Sequence, residues 1–183
     1  MQIILMRHGK PKLAPTRWLA PCDMGHWMAQ YDQAGVHTDA IPPASLAIAR
    51  LARVVITSPL HRSQSSARAL GHPAPRVDAL FSEAPLPQVR WACPRLPPFL
   101  WAALFRIGWL LGYARGVDPF ALVSQRARAA GTELIRRAEE GPVLLIGHGI
   151  MNRLIARELK SAGWTAATGH RSGHWSAVSF QSP

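Results

Sequence analysis

Two histidines and two arginines in this sequence each follow a short apolar run. Arg7-His8-Gly9 follows Ile3 to Met6, Arg62 follows Arg53-Val54-Val55-Ile56-Thr57 by way of Ser58-Pro59, and Gly147-His148-Gly149 follows Val143-Leu144-Leu145-Ile146. Continuous apolar, β-branched runs suit strands buried on both faces of a parallel sheet. In such sheets ligands bind beyond the carboxyl ends of the strands, so the four side chains are expected to converge at one edge. A phosphoryl group fits that set: guanidinium forks match phosphate oxygens, helix N-termini add aligned N–H donors, and a neutral imidazole can attack phosphorus. Cations such as Arg7 and Arg62 beside His8 would keep it unprotonated near neutral pH, so the anion pocket would also activate the nucleophile. Gly9, Gly147 and Gly149 allow the tight turns and close backbone approach that such a pocket needs.

The elements that must position these groups are legible in part. Ser58 reads as an N-cap with Pro59 at the first helical position, a helical run to Leu70 and a stop at Gly71. Residues 150–160 place Met151, Leu154, Ile155 and Leu159 on one stripe and Arg153, Arg157 and Lys160 on another, which predicts an amphipathic helix. Residues 120–139 repeat small and apolar residues at helical spacing before the break at Gly141-Pro142. Val77 to Leu80 and the alternating run His174 to Phe180 read as further strands. Strands alternating with helices imply α/β layering in one domain, 1–183.

An insertion, about 85–118, interrupts this pattern. Pro85, Pro87, Pro94, Pro97 and Pro98 predict an extended, irregular strap. Phe99 to Tyr113 then reads as a helix apolar almost all round, interrupted by Arg106 and shorter than the roughly 20 residues a bilayer span needs. It is expected to cover the domain as a lid, with contact to a membrane surface or to another copy as the alternatives.

The 21 Lys and Arg against 10 Asp and Glu give a net charge of +11, which favours anionic partners. The cations are spread along the chain without a nucleic-acid motif, so no nucleic acid is expected. Cys22 and Cys93 show neither disulfide nor zinc spacing, and the N-terminus lacks the basic start and long apolar stretch of a signal peptide; reduced thiols and a cytoplasmic address are expected. His170 and His174 are four apart, but Gly169 and Ser172-Gly173 disfavour a helix and hence a metal pair. Lys10 can face the pocket mouth or plain solvent, and His61 points about 100° away from Arg62 on a helix. His26, His37 and His72 have no clear partner, while Trp18, Trp27 and Tyr31 can line the cleft or pack.

Three segments, Met6-Arg7-His8-Gly9-Lys10-Pro11, Thr57-Ser58-Pro59-Leu60-His61-Arg62-Ser63 and Gly147-His148-Gly149, together resemble the motifs of the histidine phosphatase superfamily, the phosphoglycerate-mutase-like group. The resemblance implies a three-layer α/β/α sandwich with a mostly parallel central sheet. It also implies that His8 is transiently phosphorylated, that Arg7, Gly9, Arg62 and His148 surround the phosphoryl group, and that neither metal nor other cofactor takes part. Glu83 stands where the family places the acid that protonates the leaving oxygen, although Ala84-Pro85-Leu86-Pro87 replaces the family's glycine-rich continuation. Lys10 to Ala14 depart from the mutase pattern, which disfavours phosphoglycerate mutase activity. The activity so implied is hydrolysis of a phosphomonoester or phosphoamidate, on a small molecule or a phosphoprotein. The alternative is a module that kept the phosphate pocket without turnover, or that docks on membrane or nucleic acid. The number of copies in the assembly stays open.

Overall fold

The computed structural model describes residues 1–16, 18–167 and 173–183. In chain order these form β1 (Gln2–Arg7), α1 (Met24–Gln33), α2 (Pro43–Leu51), β2 (Val54–Thr57), α3 (His61–Ala69), β3 (Arg76–Val77), α4 (Pro98–Leu110), α5 (Phe120–Ala138), β4 (Val143–Gly147), α6 (Gly149–Ser161), β5 (Thr165–Ala166) and β6 (Ala177–Gln181). The six strands make one sheet in the order β3-β2-β4-β1-β6-β5. Neighbours from β3 to β1 run parallel, and β6 is antiparallel to both β1 and β5. The mostly parallel sheet inferred from the three apolar runs is therefore present.

Alternation along the strands sends side chains to two faces. Ile3, Leu5, Val143 and Leu145 pack with Val123, Leu134, Met151, Ile155 and Leu159 of α5 and α6. Ile4, Met6, Leu144 and Ile146 pack with Ala49 of α2 and Ala67 of α3, which completes three layers. Met151, Ile155 and Leu159 are fully buried at i, i+4 and i+8, each contributing about 1.5–3 kcal/mol.

The register decides what the sheet presents at its edge. Arg7 lies opposite Gly147 and Thr57 opposite Ile146, so His8, Ser58 and His148 leave three adjacent strands together.

Several element bounds differ from the expectation. Ser58 is not an N-cap: α3 begins at His61 with Leu60 extended before it. The Ser58 hydroxyl instead accepts the Leu60 N–H at 3.3 Å and bonds His148, so Pro59 and Leu60 form a bend rather than a first turn. The Val77 to Leu80 strand reduces to Arg76–Val77, because the Asp78 carboxylate accepts the Leu80 N–H at 2.8 Å and starts a 3-10 turn over Ala79–Phe81. The late strand begins at Ala177 rather than His174, since 173–175 turn before it.

Residues 82–95 carry no helix or strand, Leu96 bridges Leu19, and the chain then enters α4. Trp101 and Phe105 of α4 pack with Leu19, Met24, Trp27 and Tyr31 in a third cluster over the site, while Trp109 enters the main core. The two indoles hydrogen-bond the Leu19 and Asp118 carbonyls at 3.0 and 2.9 Å. No helix among the described residues is long and apolar enough to cross a membrane.

Candidate active site

His8 is the first residue beyond β1 and is almost fully buried. Its Nδ1 lies 2.8 Å from the Gly9 carbonyl. A carbonyl only accepts, so Nδ1 carries the proton and Nε2 keeps its lone pair. The Arg62 Nε–H donates to that same Nε2 at 3.2 Å, as this tautomer requires. Burial first, then the Arg62 guanidinium, with smaller contributions from Arg7 and His174, lower the imidazole pKa from 6.5 to about 3 against the opposing bond to Gly9. His8 is therefore neutral across the physiological range.

His148 precedes α6 and is also fully buried, its ring centroid 5.3 Å from that of His8. Because Ser58 Oγ accepts from Leu60 N–H, its own proton is available for His148 Nε2, 2.7 Å away. That bond leaves the proton of His148 on Nδ1. Burial and the nearby Arg62 hold this imidazole well below 6.5 as well. His148 Nδ1 and Arg7 Nε are buried without a hydrogen-bond partner among the described residues. Buried polar groups are normally paired, so two unused donors beside a lone pair describe a receptor for an oxyanion.

Arg62 is held on three sides. It sits in the first turn of α3, donates through Nη1 to Asp32 of α1, and stacks its guanidinium 4.8 Å above the Tyr31 ring. Gly9 is required by its surroundings: a Cβ there would stand 2.3 Å from the Trp175 indole, and its N–H donates to Ser66 Oγ at 2.9 Å. A Cβ on Gly149 would fall 3.9 Å from both Arg7 Nε and Glu83 Oε2, an ordinary contact distance, so Gly149 borders both groups at the mouth of the pocket. Glu83 Oε1 accepts the N–H groups of Ala84 and Met151, both at 2.9 Å, and Oε2 accepts that of Ile150 at 3.2 Å. The carboxyl group is thus fixed at the N-terminus of α6, with Oε2 the less occupied oxygen.

Arg7, His8, Gly9, Arg62, His148 and Glu83 are therefore brought together. Lys10 is exposed nearby, and its charge reaches His174. His26, His37, His61 and His72 pair with Gln30, Asp39, Ser65 and the Ala49 carbonyl, away from the nucleophile. His170 lies outside the described residues. Of the three aromatic residues from the first inter-motif segment, Tyr31 reaches the site, Trp27 stacks on Tyr31 at 5.4 Å, and Trp18 is exposed.

Sequence reasoning missed three contributors, Asp32, Ser58 and His174, and left Tyr31 between lining the cleft and packing. Asp32 and Tyr31 hold Arg62, and Ser58 orients His148. His174 stands with its ring 5.5 Å from that of His8; burial, then Arg7 and Lys10, lower its pKa to about 4. For Tyr31 and Asp32 a signal existed: Met24, Trp27 and Tyr31 recur at i, i+3 and i+7, which marks a helix.

The lowered histidine pKa values carry a stability consequence. Between 6.5 and about 3 the unfolded chain protonates His8 while the folded chain does not, so stability is full above 6.5 and falls as pH drops through that window. The urea midpoint is expected to fall from about pH 7 to about pH 5, and to fall less in His8→Gln. Equal falls in the two proteins would mean that His8 titrates normally in the folded state.

No protein-family profile matches the chain, and no curated protein matches it in sequence. Solved structures do. A phosphoserine phosphatase mutant from Entamoeba histolytica in complex with phosphoserine superposes with a TM-score of 0.62 at 14% identity, over 98% of this chain and 90% of that one. A mycobacterial glucosyl-3-phosphoglycerate phosphatase in complex with VO3 superposes with a TM-score of 0.61 at 18% identity, over 97% and 91%. An open reading frame product of Mycobacterium tuberculosis gives 0.60 at 17% identity, over 97% and 89%. What these likenesses establish is a common fold along nearly the whole chain.

Proposed function

We propose that this chain, which has the phosphoglycerate-mutase-like fold of the histidine phosphatases, hydrolyses phosphomonoesters or phosphoamidates through a phosphohistidine on His8. One observation carries the reading: Nε2 of a neutral, buried His8, which accepts only the Arg62 Nε–H among the described residues, stands beside two groups, Arg7 Nε and His148 Nδ1, that have no partner among them. The phosphatases of the same fold named above support it.

In the first step the Nε2 lone pair attacks phosphorus and the bond from phosphorus to the leaving oxygen breaks. Arg62 Nε is released from Nε2 to a phosphoryl oxygen, and Arg7 and His148 Nδ1–H meet the remaining charge. Two guanidinium groups and an imidazole N–H fill the role a metal ion takes elsewhere, so the reaction needs none. Glu83 is the group whose Oε2, with a single N–H partner, is placed to hand a proton to the leaving oxygen. In the second step Glu83 takes a proton from water as its oxygen attacks phosphorus; the N–P bond breaks, and inorganic phosphate and neutral His8 remain.

The test is to incubate the protein with p-nitrophenyl phosphate in the presence of EDTA and quench into alkali, where phosphohistidine survives. Turnover with phosphate on the His8 peptide is expected. Turnover without label there, or none at all, overturns the reading. The acid role predicts further that Glu83→Gln slows alkyl phosphates about 10²–10⁴-fold while nitrophenyl phosphate, whose leaving oxygen needs little help, changes by a few-fold. Equal losses on both ester classes would remove Glu83 from that role.

A further inference from the structure

Helix α4 is apolar on two faces, and one face has no cover. Trp101, Phe105 and Trp109 turn inward, while Leu100, Leu104, Ile107 and Leu111 form a stripe at i, i+4, i+7 and i+11 that faces out, with Ile107 54% and Leu111 84% exposed. The helix's one charge is turned away from that stripe: the Arg106 guanidinium donates to the Ala84 and Pro85 carbonyls at 2.8 and 3.1 Å and stacks over Trp109. An outward apolar stripe of this kind marks a contact surface.

The charges around the stripe decide what it contacts. From residue 84 to residue 117 there are four arginines, Arg90, Arg95, Arg106 and Arg115, and no Asp or Glu. Arg90, Arg95 and Arg115 are exposed, as are Trp91 and Tyr113, an aromatic type that favours the boundary between water and lipid. A two-fold pairing of this face with a second copy would bring arginines to arginines with no acid of the segment to meet them. An anionic bilayer supplies both the apolar layer and the counter-charge. At 13 residues, α4 is too short to span and suited to lie in the interface.

The N-terminal end of the same helix leads to the nucleophile. Phe99 is 67% exposed at the start of α4, its ring edge-on to Trp27 at 5.3 Å and to Tyr31 at 6.4 Å, and Tyr31 is edge-on to His8 at 6.3 Å. Behind α4 a groove of about 430 Å³ runs between α1 and the proline-rich strap, lined by Met24, Met28, Leu86, Val89 and Phe105, and reaches Asp32, the partner of Arg62. Gln88 and Asp32 are its polar side chains, and the larger part of its wall is apolar, which suits a hydrocarbon chain.

We propose that the outer face of α4 rests on an anionic lipid bilayer and that the site beneath it takes phosphomonoesters of membrane amphiphiles, with the phosphate at His8 and the apolar chain along α4. The substrate part rests on the phosphatase reading above. The docking part does not.

The experiment compares the wild type with Leu104→Gln/Ile107→Gln/Leu111→Gln, whose replaced side chains are exposed and outside the catalytic set. Both are sedimented with phosphatidylcholine vesicles, with and without phosphatidylglycerol, at low and high salt, and assayed on p-nitrophenyl phosphate and on dioleoyl phosphatidic acid in the mixed vesicles. The wild type is expected to pellet with the anionic vesicles in a salt-sensitive way, and the triple variant about tenfold or more less. Both should cleave the aryl ester alike, while the variant loses about tenfold or more on phosphatidate. A wild type that stays in the supernatant, or a variant that pellets equally, overturns docking, as does a dimer that the variant converts to monomer without any vesicle binding. Pelleting and aryl ester cleavage without phosphatidate cleavage overturn the amphiphile alone. Pelleting with neither ester cleaved overturns the phosphatase reading and leaves docking standing.

Discussion

His8→Ala is expected to lower kcat for aryl phosphate hydrolysis by about 10⁴-fold or more while phosphate binding changes by only a few-fold. The asymmetry follows from the geometry. Arg7, Arg62 and His148 supply the contacts that hold an oxyanion in the ground state, and Arg62 and His148 keep anchors other than His8, in Asp32 with Tyr31 and in Ser58. The Nε2 lone pair enters only when the N–P bond forms, so its loss falls on the chemical step. Truncation leaves Arg62 Nε without its acceptor, which costs about 1–3 kcal/mol of stability, and a circular dichroism melt separates that loss from the kinetic one. Steady-state kinetics together with competitive inhibition by inorganic phosphate check the prediction. A folded His8→Ala protein with wild-type turnover would remove His8 as nucleophile.

Arg62→Lys should cost about 10³-fold in kcat/KM although charge is conserved. One guanidinium donates from Nε to His8, donates from Nη1 to Asp32 and covers the Tyr31 ring. An ammonium is a point charge on a flexible stem and cannot meet all three at their present separations. It would follow the Asp32 carboxylate and leave His8 Nε2 and the phosphoryl oxygen without a donor. Asp32 is 35% exposed, so solvent takes up much of its charge and the stability loss stays small beside the kinetic one. Restoring activity with Arg62→Lys/Asp32→Asn, by freeing the ammonium for phosphate, would support this division of roles; a single Arg62→Lys with near-normal kcat/KM would contradict it.

Much of this site was legible because its parts stand directly after strands that are apolar on both faces. A run such as Val143 to Ile146 admits few readings other than a buried strand, and the residues that follow such strands must lie at one edge. Tertiary commitments hid the rest. Ser58 has the composition of a helix cap, yet its hydroxyl serves His148, 90 positions away, and the helix begins three residues later. Asp32 resembles any exposed helix acid until Arg62, 30 positions on, is placed against it. His174 lies 166 residues from His8 in sequence, and only the antiparallel pairing of β6 with β1 brings the turn ahead of β6 to the nucleophile. Periodicity registers neighbours along the chain; it is silent about contacts that the sheet order creates.

The position of β1 in that order also constrains how the protein can be made. Residues 2–7 leave the ribosome well before their hydrogen-bonding partners on the two sides, residues 143–147 and 177–181. Until those segments are made, Ile3, Ile4, Leu5 and Met6 have neither flanking strand, and closing the sheet joins segments more than 130 positions apart, a topology that folds slowly and exposes apolar edges meanwhile. The nucleophile follows directly on this strand, and its backbone N–H donates to the Gly147 carbonyl. Assembly of the reactive centre is thereby tied to synthesis of residues 143–147 and 177–181, and a chain cut ahead of them holds its histidine without holding it in place.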